Sequence, residues 1–426
     1  MTPENLLYII LAILTFNFLL GRIMQFLTAQ SWKNASIPKE VQGLYDQAKY
    51  EKARQYHSEM GKVGLIRRSL AFAVTFAFLA FGWYGWLYAN CLAWAGGSPV
   101  GAGLLFFGIL GLLSSIISLP FSLYSNFVIE AKYGFNRMTL GTFFADLGKG
   151  AMLQAIIGGG LLSLLIIVFE QIGMHFWWIG WGVMALFSIS MSGLYVRLFL
   201  PLFNKLTPLE DGDLRESLMG LAERTGFKAR TIQVIDGSKR SSHSNAYFTG
   251  FGKFRRIVLY DTLIEHLSPR ELMAVLAHEI GHYKKGHVPQ MLAVSALMSF
   301  GGFWLLNWMT QQDWLREQFG FGLFKFGDGR PEFLPALLVF ALCIGLFTFW
   351  LGPIFNFWSR KNEYEADAFA REAMNDPQPL VSALRGLHAK NLSNLVPHPA
   401  YSFFHYSHPT LLEREAALAI EKSSSS

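Results

Sequence analysis

The chain has 426 residues, 52% of them apolar and 15% aromatic, while only 15% are charged. Soluble domains carry about 25% charged residues, so this composition excludes an ordinary soluble protein and indicates one that lives in a membrane. The net charge of +6 would suit nucleic acid on a soluble chain. Here it matches the Lys and Arg that membrane proteins keep on the cytoplasmic side, and no nucleic-acid partner is expected.

A spanning helix needs about 20 mostly apolar residues. Seven stretches meet or approach that length: Leu6 to Phe26, Leu70 to Trp94, Val100 to Phe127, Ala151 to Gly173, Phe176 to Phe203, Met291 to Trp308 and Leu337 to Trp358. The first lacks a basic leader and a small-residue cleavage site, so it reads as a retained span rather than a signal peptide. Basic residues crowd the segment after the first span, from Lys33 to Arg68, and recur after the third and fifth. The positive-inside rule then sets the N-terminus outside and the C-terminus inside, as seven crossings require. Cys91 and Cys343 both lie in apolar stretches, which argues against a thiolate metal site or a disulfide framework.

Four segments follow from this reading. Residues 1–203 form the first five spans and their loops, 204–290 a cytoplasmic catalytic segment, 291–358 the last two spans, and 359–426 a C-terminal catalytic segment with a tail. Within the second segment, Thr231–Ile235, Ala246–Gly250 and Arg256–Tyr260 look like short strands, apolar runs with turn formers between them. The expected class is an all-α membrane protein with a small β element.

The chemistry lies in a helix beginning at Ser268. A capping serine, proline in the first turn and Glu271 three residues on mark its start. Leu272, Val275, Leu276 and Ile280 give it an apolar face. His278 and His282, one turn apart, can both reach a single tetrahedral zinc. Glu279 is placed to act on a metal-activated water rather than to ligate. The metzincin spacing would require glycine at 285 and histidine at 288, where Lys285 and Val288 stand. His287 is one residue out of register and reads as a cap or surface residue.

A downstream acid is the remaining source of a third ligand. Ser359 to Asp367 follows the last span and reads as a helix start, with Glu363 and Asp367 on one face and Glu365 on another. His282 precedes the sixth span and Glu363 follows the seventh, so both emerge on the same side of the membrane. Glu363 is therefore a physically reasonable third ligand, with Glu365 and Asp367 the alternatives, and Asp367 is a candidate acid to accept from a ligand histidine's other nitrogen.

These residues resemble the Ste24-type CAAX prenyl proteases of the M48 metallopeptidases. The likeness runs through Glu130-Ala131-Lys132-Tyr133-Gly134-Phe135-Asn136, Pro201-Leu202-Phe203-Asn204-Lys205 and Asn245-Ala246-Tyr247. It continues through the His278–His282 motif, Glu363-Tyr364-Glu365-Ala366-Asp367 and Ser407-His408-Pro409 with Arg414. The resemblance implies seven helices around a water-filled chamber, with a zincin-like catalytic domain on the cytoplasmic side. It also implies one zinc per chain on His278, His282 and Glu363, with Glu279 as base. A strand at Asn245 and Ala246 would receive an extended peptide, and His408 and Arg414 would lie near the metal as catalytic residues. The implied partners are membrane lipid and a peptide or protein substrate, prenylated or not. The loop between spans six and seven is short for a eukaryotic member, which points to a prokaryotic source and a bacterial inner membrane. An HtpX-like quality-control protease is the alternative enzyme. A transporter with a structural zinc is disfavoured, because the span centres are nearly free of charge and Glu279 would serve no purpose there.

Overall fold

A computed structural model describes residues 3–420 apart from positions 35, 40–41, 44, 228–230, 244–245, 250–255, 313, 315–318, 320 and 322–332. Helices dominate it. In chain order the first are α1 (Pro3–Asn34), α2 (Gln47–Ala80), α3 (Trp83–Trp94) and α4 (Pro99–Tyr124). They are followed by α5 (Leu140–Leu153), α6 (Gly159–Ile172), α7 (Phe176–Leu194) and α8 (Asp213–Arg224). Then come α9 (Pro269–Lys284), α10 (His287–Thr310), α11 (Phe333–Met374), α12 (Gln378–Lys390), α13 (Pro399–His405) and α14 (Leu411–Ile420).

Among the described residues, six helical stretches are long and apolar enough to cross a membrane. One of them, Leu140–Leu194, contains α5, α6 and α7. It is interrupted at Gly173, whose φ of 56° and ψ of −121° no helix contains. Neighbours form a closed circuit: α1 packs on α2, α2 on α4, α4 on α6, α6 on α7, α7 on α10, α10 on α11, and α11 on α1.

Two expectations about helix boundaries are corrected. The apolar run Leu70–Trp94 is not one span. α2 begins at Gln47, capped by the Asp46 side chain on Lys49 N, and ends at Ala80. Gly82, at φ +66°, turns the chain into α3, whose 12 residues are too short to cross. Hydropathy cannot register a one-glycine turn inside an apolar run. The second correction concerns Ser359, which starts nothing. It lies inside the 42-residue α11, which leaves the membrane and continues unbroken past Glu363 and Asp367. No residue between Trp358 and Asp367 breaks a helix, so the polar turn extends the apolar one.

Four strands form the sheet: β1 (Leu206–Pro208), β2 (Thr231–Ile235), β3 (Ala246–Thr249) and β4 (Arg256–Tyr260), in the order β1-β2-β4-β3. β2 and β4 run parallel, with Thr231 opposite Arg256 and Ile235 opposite Tyr260. β1 and β3 join antiparallel and are the edges. The unexpected strand, β1, ends in Pro208, a residue that only an edge tolerates. Gly250, the expected end of β3, lies outside the described residues.

There are two main apolar cores. One gathers Leu218, Leu221, Ile257, Leu259, Leu276, Ile280, Leu380 and Leu411 around α9, together with Tyr50 and Tyr56 from the first turns of α2. The other, built on Tyr88, Phe106, Phe169, Phe176 and Leu334, ties the membrane helices together. Arg240 joins the sheet region to the membrane helices. It donates to both oxygens of Asp146 at 2.7 and 3.0 Å and to Asn204 Oδ1 at 2.9 Å.

Candidate metal centre

α9 starts as its sequence dictates. Ser268 accepts from Glu271 N, Glu271 accepts from Ser268 N at 2.7 Å, and Pro269 occupies the first turn. This capping box satisfies orphan amide donors at the helix start. Leu272, Leu276 and Ile280 seat the helix in the core, which turns His278 and His282 toward α11. Close approach of the two helices depends on Gly281. A Cβ there would stand 2.9 Å from Ala366 Cα and 3.0 Å from its carbonyl oxygen. Gly281 is thus the residue that lets α11 bring its carboxylates to the histidines. The sequence reading passed over it, although its place between His278 and His282 was the available signal.

Three ligating groups converge. His278 Nε2 lies 3.2 Å from His282 Nε2 and 3.4 Å from Glu363 Oε2, and His282 Nε2 lies 3.3 Å from Glu363 Oε1. A tetrahedral zinc with bonds of about 2.0–2.1 Å holds its ligand atoms about 3.3–3.4 Å apart. The separations, which reach a different Glu363 oxygen from each histidine, therefore match the spacing that the ion requires. Glu363 Oε2 is buried without a hydrogen-bond partner, a cost that a cation at the centre of the triangle removes. These three residues form a candidate metal-binding cluster, and their donor set fits zinc.

Behind the triangle, Asp367 Oδ1 lies 2.8 Å from His278 Nδ1. Arg414 grips Asp367 with two bonds, Nε to Oδ2 at 2.8 Å and Nη2 to Oδ1 at 2.5 Å, and its Nη1 lies 3.7 Å from Glu363 Oε2. Burial alone would raise the Asp367 carboxyl, but hydrogen bonds from His278 and Arg414 outweigh it and hold the group below its ordinary value. Arg414 is buried, with its guanidinium turned to the two carboxylates. His408, on the exposed rim, brings Nε2 to 3.4 Å from Glu363 Oε1.

Glu279 is different. Burial pushes its carboxyl above the ordinary value, and no hydrogen bond or ion pair engages it among the described residues.

His287 corrects an expectation. It is buried rather than on the surface. Its Nδ1 meets His282 Nδ1 at 2.9 Å, and its Nε2 meets Glu365 Oε2 at 3.1 Å. Glu365 does point away from the triangle, as helical spacing required, yet it steadies His282 through His287. Gly286, at φ +71°, makes the turn that folds His287 back. Only that turn pairs the two histidines, so the spacing gave no signal. Asn245 lies outside the described residues. Ala246 begins the edge strand β3, which packs beside α9.

Two family models cover the chain: the CAAX prenyl protease N-terminal region of five membrane helices matches residues 27–205, and peptidase family M48 matches residues 208–422. The chain belongs to peptidase family M48, among the Ste24-type CAAX prenyl proteases. It is similar to CAAX prenyl protease 1 homolog of Oryza sativa, 38% identical over 91% of each chain. CAAX prenyl protease 1 of Saccharomyces cerevisiae is 41% identical over 75% of this chain and 73% of its own. The Homo sapiens homolog is 32% identical over 91% and 89%. The crystal structure of S. mikatae Ste24p superposes with a TM-score of 0.88 at 34% identity, covering 97% of this chain and 98% of that one. The protein is a multi-pass membrane zinc metalloendopeptidase, and the transporter reading falls. These eukaryotic relatives give the expected bacterial membrane no support.

Proposed function

We propose that this peptidase cuts membrane-associated peptides, prenylated C-terminal Cys-aliphatic-aliphatic-X tails among them, within a chamber enclosed by seven spanning helices. Two observations support the enclosure. The break at Gly173 within Leu140–Leu194 supports reading that stretch as two crossings, which would make seven, and the helix neighbours form a closed circuit. Basic residues after the first, third and fifth spans support a cytoplasmic catalytic face with the N-terminus outside. The observation that carries the catalytic reading is the triangle of His278, His282 and Glu363 with the unengaged Glu279 beside it.

One zinc ion held by that triangle would bring the pKa of a water near 7 and polarise a carbonyl. Glu279 takes the proton of the attacking water on its carboxylate and delivers a proton to the leaving amine nitrogen. Asp367 accepts from His278 Nδ1–H, which leaves Nε2 with its lone pair free to ligate. Arg414 holds Asp367 in place, whereas the exposed His408 meets the substrate and donates to the carbonyl oxygen as it gains charge. The β3 edge, with Asn245 and Ala246, pairs with an extended substrate backbone.

The test is hydrolysis of a farnesylated Cys-aliphatic-aliphatic-X peptide by purified protein, beside Glu279→Ala and beside protein treated with a zinc chelator. Cleavage is expected in neither control, with Glu279→Ala retaining its zinc. Turnover by Glu279→Ala would refute the base assignment. A zinc-loaded wild type that leaves the peptide intact would transfer the reading to membrane-protein quality control.

A further inference from the structure

β3 is four residues long, and among the described strands it has a partner on one side only. Ala246 lies opposite Leu259 and Thr249 opposite Arg256 on β4. An edge strand binds a peptide best when it is already held in place, because ordering it on binding costs affinity. The hold comes from the residues before it. Ser242 N donates to Phe135 O at 3.0 Å, Arg137 N to Arg240 O at 3.1 Å, and Thr262 Oγ1 to His243 O at 3.1 Å. The chain entering β3 is thereby joined to the loop that follows α4 and to the residues just past β4.

His243 is the side chain at the centre of that junction. Its Nδ1 lies 2.9 Å from Asn391 Oδ1, and its Nε2 lies 3.5 Å from Glu130 Oε2. The ring stacks on Phe135, with centroids 4.4 Å apart and planes inclined by 23°. A neutral imidazole carries one N–H, so either neutral tautomer sets a lone pair against one of the two oxygens. The imidazolium satisfies both. Glu130 divides its carboxylate to match: Tyr56, on α2, donates to Oε1 at 2.6 Å and leaves Oε2 to His243. Neighbouring charges are engaged elsewhere, since Lys132 pairs with Glu59, Lys390 meets His266, and Asp261 accepts from Ser238. Asn391 caps the end of α12, and α12 packs on α9. One ring therefore ties β3 to the end of a membrane helix and to a helix packed on the one that carries His278 and His282.

We propose that His243 is a positioning residue for peptide hydrolysis: clamped between Glu130 and Asn391, it fixes the β3 edge against which the substrate backbone pairs. The assignment rests on the reading of β3 as the strand that receives substrate. Backbone pairing acts in the ground state and the transition state alike, so loosening the strand shows in KM and not in kcat.

The experiment measures kcat, KM and bound zinc for wild type, His243→Phe, His243→Gln and Glu130→Gln with the farnesylated Cys-aliphatic-aliphatic-X peptide. His243→Phe keeps an aromatic ring on Phe135 and removes both donors. It is expected to raise KM about 10-fold, the worth of one charge-assisted hydrogen bond, with kcat and zinc unchanged. His243→Gln, which keeps one donating group, should recover part of the loss. Glu130→Gln should also raise KM, and should add little to His243→Phe because the two act as one unit. Wild-type KM should climb as rising pH removes the imidazolium proton, and in Glu130→Gln that climb should come at lower pH. An unchanged KM in both His243→Phe and Glu130→Gln overturns the proposal, as does a loss confined to kcat or to bound zinc. If His243→Phe does not fold, Glu130→Gln and its pH profile decide alone.

A wild-type control separates this proposal from the reading beneath it. Methylating the substrate's backbone nitrogens should weaken binding if β3 pairs with them. If it has no effect, the β3 reading fails and the clamp with it. If it weakens wild type while His243→Phe keeps its KM, the clamp alone fails. Should the farnesylated peptide stay intact, fluorescein-labelled casein replaces it, because the strand pairs with backbone and not with lipid.

Discussion

α9 and α10 follow one another in the chain, separated only by Lys285 and Gly286, and they obey opposite rules of burial. In α9, Leu276 is 2% exposed and Ile280 1%. In α10, Leu297 is 70% exposed and Trp304 56%. The first helix packs into a water-facing core, where apolar area must be removed from solvent to stabilise anything. The second, a candidate spanning helix, leaves such side chains exposed, and apolar groups in hydrocarbon gain little from burial. The chemistry is accordingly mounted on the tightly packed helix. Its histidines are held to a fraction of an ångström by neighbours that cannot shift without opening the core.

The sharpest way to break this comparison is at Gly281. In Gly281→Ala the new methyl meets the α11 backbone, so the helices separate and Glu363 leaves the histidines. Loss of bound zinc, read by elemental analysis, and of all hydrolysis is expected. An active, zinc-loaded Gly281→Ala would mean that the close approach is dispensable.

Next in size is a matched pair of truncations. Leu276→Ala in the core should cost about 2–5 kcal/mol, whereas Leu297→Ala on an exposed face of α10 should stay within about 0.5 kcal/mol. Thermal unfolding in one detergent compares them, and equal losses would erase the distinction between the two helices.

His287→Ala should cost about 10- to 100-fold in zinc affinity, as the loss of a group that steadies a metal ligand does. Glu365→Gln, which keeps a hydrogen-bond acceptor for His287, should cost less. Competition with a chelator of known affinity measures both, and an unaffected His287→Ala would remove the His282–His287–Glu365 chain from the site.

The smallest effect concerns pH. The Glu130 carboxylate, 3.5 Å from His243, holds that imidazole above its ordinary value. The folded state therefore binds the proton more tightly than the unfolded one. The resulting stabilisation is complete below the unfolded pKa of about 6.5 and lost as pH rises through the raised folded value. A modest fall in melting temperature over that window is expected, and Glu130→Gln should flatten it.

That pair also explains a motif that the sequence presented only as a likeness. Glu130 accepts from Tyr56 at 2.6 Å, and Phe135, three residues beyond Lys132, stacks on His243. The Glu130–Asn136 stretch thus fastens the end of α4 to the segment that leads into β3.

The sequence by itself determined the membrane class, the start of α9, the histidine pair, Glu279 and the face shared by Glu363 and Asp367. All of these are local. Composition, capping and the 3.6-residue period act within a few turns of chain, so a linear reading recovers them. Only the tertiary structure decided that α2 and α3 part at Gly82, that α11 runs unbroken from the membrane into the site, and that His287 turns inward to His282. It alone also brought Arg414 onto Asp367. The physical reason is that each of these depends on distant segments meeting, and such contacts are set by packing between helices and not by the residues along any one of them.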